Sequence, residues 1–142
     1  QSKDNIIIDR KKLKCVTKLK PNKKEIAEIE FAFNICKHVK SNAVVLCNNF
    51  STIGIGAGQP SRLDSCKIAS QKAKKFQPGK MKNSIAASDA FFPFPDCIEI
   101  ASEAGISAVV QPGGSIKDQL SIDACDERGM AMYLSGIRHF YH

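Results

Sequence analysis

DCIEIASEAGISAVVQPGGSIKDQLSIDACDERGMAMYL, residues 96–134, decides the fold class because it contains one pattern twice. The first copy is a helical pattern from Asp96 to Ala104, then Gly105, then a strand pattern from Ser107 to Gln111. A glycine directly after a helix adopts the left-handed C′ conformation without steric strain. We therefore expect Gly105 to close the first helix.

The second copy has the same order: a helix from Lys117 to Arg128, Gly129, and a strand from Met130 to Leu134. Helices that alternate with short apolar strands are typical of α/β proteins, in which helices cover both faces of the sheet. The sequence therefore predicts an α/β fold with a largely parallel sheet. In such sheets the loops at the carboxyl ends of the strands build the binding site.

The first part of the chain extends this pattern upstream. Residues 22–41 carry apolar side chains at helical spacing, and Asn22 is expected to be the N-cap. Two strands, 43–47 and 51–53, flank Asn48-Asn49-Phe50, whose turn chemistry predicts a hairpin. The remaining predicted elements are a helix that ends at Lys75, a loop over 76–83 and a strand over 84–87.

A glycine-rich segment, residues 54–62, follows the second strand. It fits neither GxGxxG nor the P-loop pattern, because Gln59 stands where the third glycine should be and the P-loop lysine is missing. We expect a flexible loop whose backbone N–H groups approach an anion, with Ser61 as N-cap and Arg62 in the first helical turn. A purely geometrical role for the glycines is the alternative.

Four loops are predicted at the carboxyl edge of the sheet: 54–62, 88–96, 112–116 and 136–142. Three of the eight Phe residues gather in the second loop, together with two prolines. This run is either a core plug or a rigid wall on which a planar heterocycle stacks. Aromatic and basic residues in the last loop indicate a terminus that is tucked in rather than frayed.

The net charge of +7 is concentrated near the N-terminus. Residues 1–40 contain 11 Lys/Arg and 5 Asp/Glu, whereas residues 41–142 contain 10 and 9. We interpret residues 1–21 as a basic, partly flexible leader. No recognition-helix, RNP or zinc-finger pattern accompanies the lysines, so no nucleic-acid partner is expected; a steep loss of binding with salt would argue for one.

The six cysteines are too far apart for a CxxC metal clamp, since the shortest gap is 11 residues. Four of them fall in predicted helices or strands, where a thiol behaves as a small apolar group: Cys36, Cys47, Cys97 and Cys125. Unpaired thiols favour a reducing compartment, so a cytoplasmic protein is expected. No apolar run is long enough to cross a membrane, and no membrane partner is expected.

The sequence lacks several known catalytic motifs. His38 lies late in the first predicted helix, where solvent exposure is expected, and is assigned no chemistry. The HxE and PCxxC pair of a zinc deaminase is missing, and so is the GxSxG nucleophile elbow. No catalytic metal site and no catalytic serine is therefore predicted.

Five segments, in order and spacing, resemble one enzyme family. They are KSNAVV (40–45), GIGAGQPSR (54–62), ASDAFFPF (87–94), QPGGS (111–115) and RHF (138–140). The family is the bifunctional AICAR formyltransferase/IMP cyclohydrolase, where AICAR is the aminoimidazole carboxamide ribotide. The resemblance is to the C-terminal end of this family and extends from about residue 20 to the last residue.

The resemblance implies a fold, a reaction and partners. The formyltransferase region of the family has two subdomains similar to cytidine deaminase without the zinc, and residues 22–142 resemble the second, a three-layer α/β/α sandwich. The family transfers a formyl group from 10-formyltetrahydrofolate to the 5-amino group of AICAR in purine (IMP) biosynthesis. It does so as a homodimer whose formyltransferase sites are shared across the subunit interface.

The resemblance also implies the binding residues. AICAR is expected to contact Asn42, Arg62, Phe91 and Arg138. The folate is expected to contact Leu63, Asp96, Ser115 and Ile116, with Pro93 and Phe94 nearby. Some family members also hold a monovalent cation such as K+ near the matches of Ser41 and Asp89. The sequence departs from the family at Pro60, Pro95 and Tyr141, and Pro95 replaces an arginine beside Asp96, which changes the charge next to the expected folate contacts.

In the family, a Lys-His pair in the preceding subdomain performs the proton transfer. That subdomain and the cyclohydrolase domain lie outside this chain, so we expect the chain to supply binding walls and to be inactive alone. The alternative is a non-catalytic ribotide- or folate-binding module. The two differ in whether the gene continues upstream with the missing subdomain and its Lys-His motif.

Overall fold

The computed structural model describes residues 13–20, 22–90 and 95–136. These ranges contain six strands and four helices, together with a short 3-10 turn at Pro78–Lys80. The strands are β1 (Lys14–Cys15), β2 (Val44–Asn48), β3 (Ser51–Gly56), β4 (Ser84–Ser88), β5 (Ile106–Gln111) and β6 (Ala131–Leu134). The helices are α1 (Lys23–Cys36), α2 (Arg62–Phe76), α3 (Asp96–Glu103) and α4 (Asp118–Glu127). The predicted α/β class is confirmed.

The strands form one mixed sheet in the order β1-β6-β5-β4-β2-β3. β4, β5 and β6 are parallel, whereas β2 is antiparallel to both of its neighbours and β1 is antiparallel to β6. The prediction of a largely parallel sheet is therefore wrong, because a two-residue hairpin connection makes its two strands antiparallel. β2 runs opposite to both β3 and β4, and β4, β5 and β6 are parallel to one another. β3, β4, β5 and β6 therefore all run in the same direction.

The β2–β3 hairpin is confirmed, and its turn has left-handed backbone at both central residues. Asn49 has φ 51° and Phe50 has φ 60°. This is the arrangement of a two-residue turn whose twist matches that of the flanking strands. β3 continues to Gly56, three residues beyond its predicted end.

The extension of β3 corrects the interpretation of the glycine-rich segment. Gly54 and Gly56 lie in the strand, where a Cβ atom would collide with the carbonyl oxygen of Ala69 or Ser65 in α2. The glycines therefore allow α2 to pack closely on β3, which is the geometrical role. The flexible, anion-approaching loop predicted over 54–62 is wrong for residues 54–56.

The strands present alternate side chains to the two faces of the sheet, as the pleat requires. In β2, Val44 and Leu46 belong to the apolar cluster that α2, α3 and α4 cover, whereas Val45 and Cys47 belong to the cluster that α1 covers. The four cysteines predicted to lie in helices or strands are buried there: Cys36, Cys47, Cys97 and Cys125.

Three predicted caps are confirmed. The Asn22 side chain accepts a hydrogen bond from the Glu25 backbone N–H at 2.9 Å, which caps α1. Gly105 and Gly129 follow α3 and α4 with φ of 91° and 65°, the left-handed conformation expected at a helix end.

The first helix is shorter than predicted. α1 ends at Cys36 rather than near residue 41, because the Val39 N–H binds the carbonyl of Cys36 in a tighter turn. The following residues then enter β2. His38 lies in this turn and is exposed.

Part of the predicted leader belongs to the sheet. β1 pairs with β6 at the sheet edge, and the buried Thr17 accepts a hydrogen bond from the Met132 N–H at 2.9 Å. The Lys18 N–H also binds the Asp126 carboxylate at 2.9 Å. Residues 14–18 are therefore tied to the domain, whereas residues 1–12 lie outside the described ranges.

Candidate functional site

One edge of the sheet gathers the predicted binding residues that the structure describes. β3, β4, β5 and β6 end at this edge and β2 begins there, because β2 runs opposite to the other four. The prediction that the loops after the strands share an edge is confirmed for the described loops. Asn42, Arg62, Asp89 and Ser115 lie in the segments next to these strand ends.

Arg62 is the first residue of α2 and is held almost out of solvent. The preceding Ser61 caps the helix, since its side chain accepts the Asp64 N–H at 3.1 Å, as predicted. The Arg62 side chain is 9% exposed, and its Nη2 donates to Asp89 Oδ1 at 3.0 Å and to Asn42 Oδ1 at 2.8 Å. Its Nε is buried and has no hydrogen-bond partner among the described residues.

Asp89 is the buried counterion of this arginine. It is fully buried after β4, and besides Arg62 it accepts the Ser41 hydroxyl at 2.5 Å and the Ala43 N–H at 3.2 Å. A buried carboxylate is tolerated when it is paired and hydrogen-bonded in this way. Asp89 therefore fixes the guanidinium against the start of β2.

The Asn42 side chain makes hydrogen bonds within the chain. Its Nδ2 donates to the carbonyls of Gln59 and Pro60 at 2.9 and 3.0 Å, while its Oδ1 accepts from Arg62. The two amide hydrogens have partners, and one lone pair of the oxygen is used. The Asn42 carbonyl also accepts the Ser65 hydroxyl at 2.6 Å. The Asn42 carboxamide thus holds residues 59–60 and Arg62 together, and its contact with AICAR stays a prediction.

The predicted folate residues form two groups on the same edge. Leu63 and Asp96 belong to the first turns of α2 and α3, which pack against each other; Leu63 is half-buried against the core and Asp96 is exposed. Ser115 and Ile116 belong to the β5–α4 loop, where Ser115 Oγ accepts the Lys117 N–H at 3.1 Å and Ile116 is 100% exposed. Leu63 and Asp96 thus lie at the starts of two packed helices, and Ser115 and Ile116 are neighbours in one loop.

Two thiols lie beneath the first of these groups. The pKa of the Cys97 thiol is lowered, chiefly because it accepts a hydrogen bond from Cys66 and further because of the Arg62 charge. The pKa of the Cys66 thiol is raised well above its usual value, because Cys66 is the donor toward Cys97 and because it is buried. In the structure its Sγ donates to the backbone carbonyl of Cys97 at 3.7 Å.

Two of the predicted AICAR residues, Phe91 and Arg138, lie outside the described ranges, as do Pro93, Phe94 and Tyr141. Among the described residues, sequence reasoning assigned no role to Ser65 or Asp118, which hold the Asn42 carbonyl and the β5–α4 loop. The spacing Ser115-x-x-Asp118 is a capping-box signal and could have identified Asp118. No sequence signal marks Ser65, because its partner is a backbone carbonyl 23 positions away.

The described ranges contain no group of three or more His, Cys, Asp or Glu side chains that could hold a metal ion. Ser41 and Asp89 offer oxygen atoms, but both Asp89 oxygens already accept hydrogen bonds and Arg62 balances its charge. These two residues do not by themselves make a cation site. No helix in the described part of the chain is long and apolar enough to span a membrane.

Comparison with known proteins identifies the family of this chain. A model of the AICARFT/IMPCHase bienzyme family matches residues 1–72, half of the chain, including Asn42 and Arg62. The chain belongs to this family. The resemblance noted in the sequence is thereby confirmed. The AICARFT/IMPCHase match ends within α2, so the Asp89 and Ser115 segments are related to the family through individual relatives.

Those relatives share the whole length of the chain. It is 51% identical over 148 residues to the bifunctional purine biosynthesis protein PurH of Bartonella tribocorum, and 50% identical over 142 residues to PurH of Aquifex aeolicus. Each alignment includes 100% of this chain and 28% of the relative. The AICARFT/IMPCHase chain therefore spans little more than a quarter of the length of these relatives.

A solved structure supports the fold. RibD of Acinetobacter baumannii matches 77% of this AICARFT/IMPCHase chain and 35% of its own chain, with a TM-score of 0.53 and 13% identity. A similarity at this level of identity concerns the fold alone.

Proposed function

We propose that this chain takes part in purine (IMP) biosynthesis as the C-terminal subdomain of an AICAR formyltransferase, which transfers a formyl group from 10-formyltetrahydrofolate to the 5-amino group of AICAR. The observation that carries the proposal is Arg62. It is a buried guanidinium, fixed by Asp89 and Asn42, whose Nε has no partner among the described residues. Family membership and the whole-length similarity to PurH support it.

A fixed arginine whose Nε has no partner in the described part of the chain is suited to AICAR. A buried N–H group without a partner costs free energy, and an incoming acceptor recovers it. The phosphate and carboxamide oxygens of a ribotide are such acceptors, and guanidinium groups bind planar or anionic oxygen groups in a defined geometry. We propose that AICAR lies against Arg62, with Asn42 contributing mainly by orienting the arginine and with Phe91 and Arg138 completing the pocket.

The folate is proposed to lie between the start of α2 and α3 and the β5–α4 loop. Leu63 and the fully exposed Ile116 offer apolar surface to a planar ring, while Asp96 and Ser115 offer polar groups. This arrangement supports the folate residues expected from the resemblance.

The reaction requires positioning and proton transfer. The 5-amino group of AICAR is a weak nucleophile because its lone pair is delocalised into the ring. It must be held against the formyl carbon while its proton is removed and the tetrahedral oxyanion is stabilised. In this proposal the side chains gathered around Arg62 bind AICAR and orient it. We propose that the proton transfer belongs to a Lys-His pair in a preceding subdomain, and that the chain is inactive alone.

The proposal extends to fold, assembly and location. We propose that residues 22–142, with β1 added at the side of their sheet, form the three-layer α/β/α sandwich of a cytidine deaminase-like subdomain without zinc. The complete enzyme is proposed to be a cytoplasmic homodimer whose sites are shared between subunits, and to carry IMP cyclohydrolase activity in a further domain. The resemblance also implies a monovalent cation near Ser41 and Asp89, to which we assign no step of the reaction.

The test is calorimetric titration with AICAR of the complete enzyme that carries this chain and of the 142-residue chain alone, each as wild type, Arg62→Ala and Lys67→Ala. Lys67 is an exposed cation on the same helix and serves as the matched control. We expect Arg62→Ala to weaken AICAR binding at least about tenfold, because a charged donor is lost, and Lys67→Ala to leave it unchanged.

Formyl transfer by the complete enzyme is measured through the release of tetrahydrofolate. In Arg62→Ala its rate should fall in parallel with AICAR binding. A complete enzyme that binds AICAR but transfers no formyl group contradicts the proposed reaction and favours the ribotide-binding module. Equal affinities in wild type and Arg62→Ala contradict the proposed role of Arg62.

A further inference from the structure

The β5–α4 loop is held by one carboxylate. Asp118, the first residue of α4, accepts the Gly114 N–H at 2.8 Å and the Ser115 N–H at 3.3 Å with its Oδ2. The Asp118 N–H in turn donates to the Ser115 carbonyl at 3.1 Å. Three hydrogen bonds therefore tie Asp118 to the two residues that precede Ile116.

The backbone conformation of this loop requires glycine at two positions. Gly113 and Gly114 have φ of 79° and 95°, which side chains rarely tolerate. A Cβ on Gly113 would also lie 3.1 Å from the Leu134 side chain and 3.4 Å from Asp118 Oδ2. The two glycines bend the chain toward α4, and the carboxylate closes that bend.

The bend places the Ile116 side chain in solvent. Its side chain is 100% exposed, and Leu120, one turn later in α4, is 52% exposed. A large apolar side chain held wholly in solvent gains nothing for folding. The loop that presents it is nevertheless fixed by charge-assisted hydrogen bonds, which are among the stronger ones in proteins.

We infer that Asp118 is a positioning residue for the folate: its carboxylate holds residues 114–115 so that Ile116 meets the ring of 10-formyltetrahydrofolate. The inference rests on the proposed function, because it takes the folate to lie against Ser115 and Ile116. Asp118 itself touches no substrate. Its other carboxylate oxygen, Oδ1, is buried without a partner among the described residues, so only the Oδ2 side of the carboxylate holds the loop.

The test compares Asp118→Ala, Asp118→Asn and the control Asp123→Ala in the complete enzyme. Asp123 is an exposed carboxylate of the same helix that accepts only a hydrogen bond from the Gln119 side chain, at 2.7 Å, among the described residues. We expect Asp118→Ala to raise KM for 10-formyltetrahydrofolate about tenfold and to leave KM for AICAR unchanged. Asp118→Asn keeps an acceptor oxygen for the two N–H groups and should stay within about threefold of wild type.

A second measurement follows the loop itself. Hydrogen exchange of the Gly114 and Ser115 amides should be faster in Asp118→Ala than in wild type and Asp123→Ala. If Asp118 acted only as a helix cap, Asp118→Ala would lower the melting temperature and change the two KM values equally or not at all. That outcome, or an Asn variant as impaired as the Ala variant, overturns the inference. A wild-type enzyme with no affinity for the folate overturns the proposed function instead.

Discussion

At the scale of single residues, the site depends on a buried ion pair. Arg62 and Asp89 come from α2 and from the segment after β4, and both side chains are at least about nine-tenths buried. Removing one member of such a pair leaves a charge in the interior without compensation, which is strongly destabilising. Arg62, which is proposed to bind the ribotide, is therefore expected to matter for folding as well as for binding.

Asp89→Ala is expected to lower the free energy of unfolding by about 3–5 kcal/mol, because the Arg62 guanidinium loses its counterion and Ser41 and Ala43 lose their acceptor. Urea denaturation of the 142-residue chain measures this. Asp123→Ala, which removes an exposed carboxylate, should change it by less than about 0.5 kcal/mol. A loss from Asp89→Ala no greater than that of the control contradicts the structural role of the pair.

At the scale of secondary-structure elements, the contact between α2 and β3 explains the glycines that precede Arg62. The helix passes so close to the strand that Gly54 and Gly56 face backbone atoms of α2. The sequence predicted the cap at Ser61 and the helix after it, because caps are local. It could not predict that the glycines belong to a strand, since that depends on a helix whose packing the sequence does not specify.

Gly56→Ala is expected to destabilise the chain by about 1–3 kcal/mol, because the new methyl group would overlap the Ser65 backbone. Gly79→Ala is the matched control, since a Cβ on Gly79 meets nothing within 4 Å, and it should be neutral or slightly stabilising. Thermal unfolding followed by circular dichroism distinguishes the two. Equal melting temperatures for both variants would show that α2 lies farther from β3 than described.

At the scale of the whole molecule, the sheet separates two apolar layers that contain buried thiols. Burial raises the pKa of Cys47 and of Cys125 to about 12 in the folded chain, with the Glu28 charge adding to the effect at Cys47 and the Asp126 charge at Cys125. In the unfolded chain these thiols ionise near their ordinary value of about 8.5. The folded state therefore holds their protons more tightly than the unfolded state does.

The free energy of unfolding should be insensitive to these thiols below about pH 8.5 and should fall as the pH rises from there toward 12, because the unfolded state then releases protons that the folded state keeps. A Cys47→Ala/Cys125→Ala variant should show a smaller fall over this range. Urea denaturation under reducing conditions at several pH values measures it. Parallel pH curves for wild type and variant would contradict buried, protonated thiols at these positions.

The sequence by itself determined the α/β class, the order of the helices and strands from α1 onward, the caps at Asn22 and Ser61, and the family resemblance, since each depends on local patterns in the chain. Only the tertiary structure decided the antiparallel pairing of β1 with β6 and of β2 with β4, the packing role of Gly56, the engagement of the Asn42 side chain and the burial of Asp89 against Arg62. Those features depend on contacts between separate helices, strands and loops, which are set by how the helices pack on the sheet and leave no local pattern in the sequence.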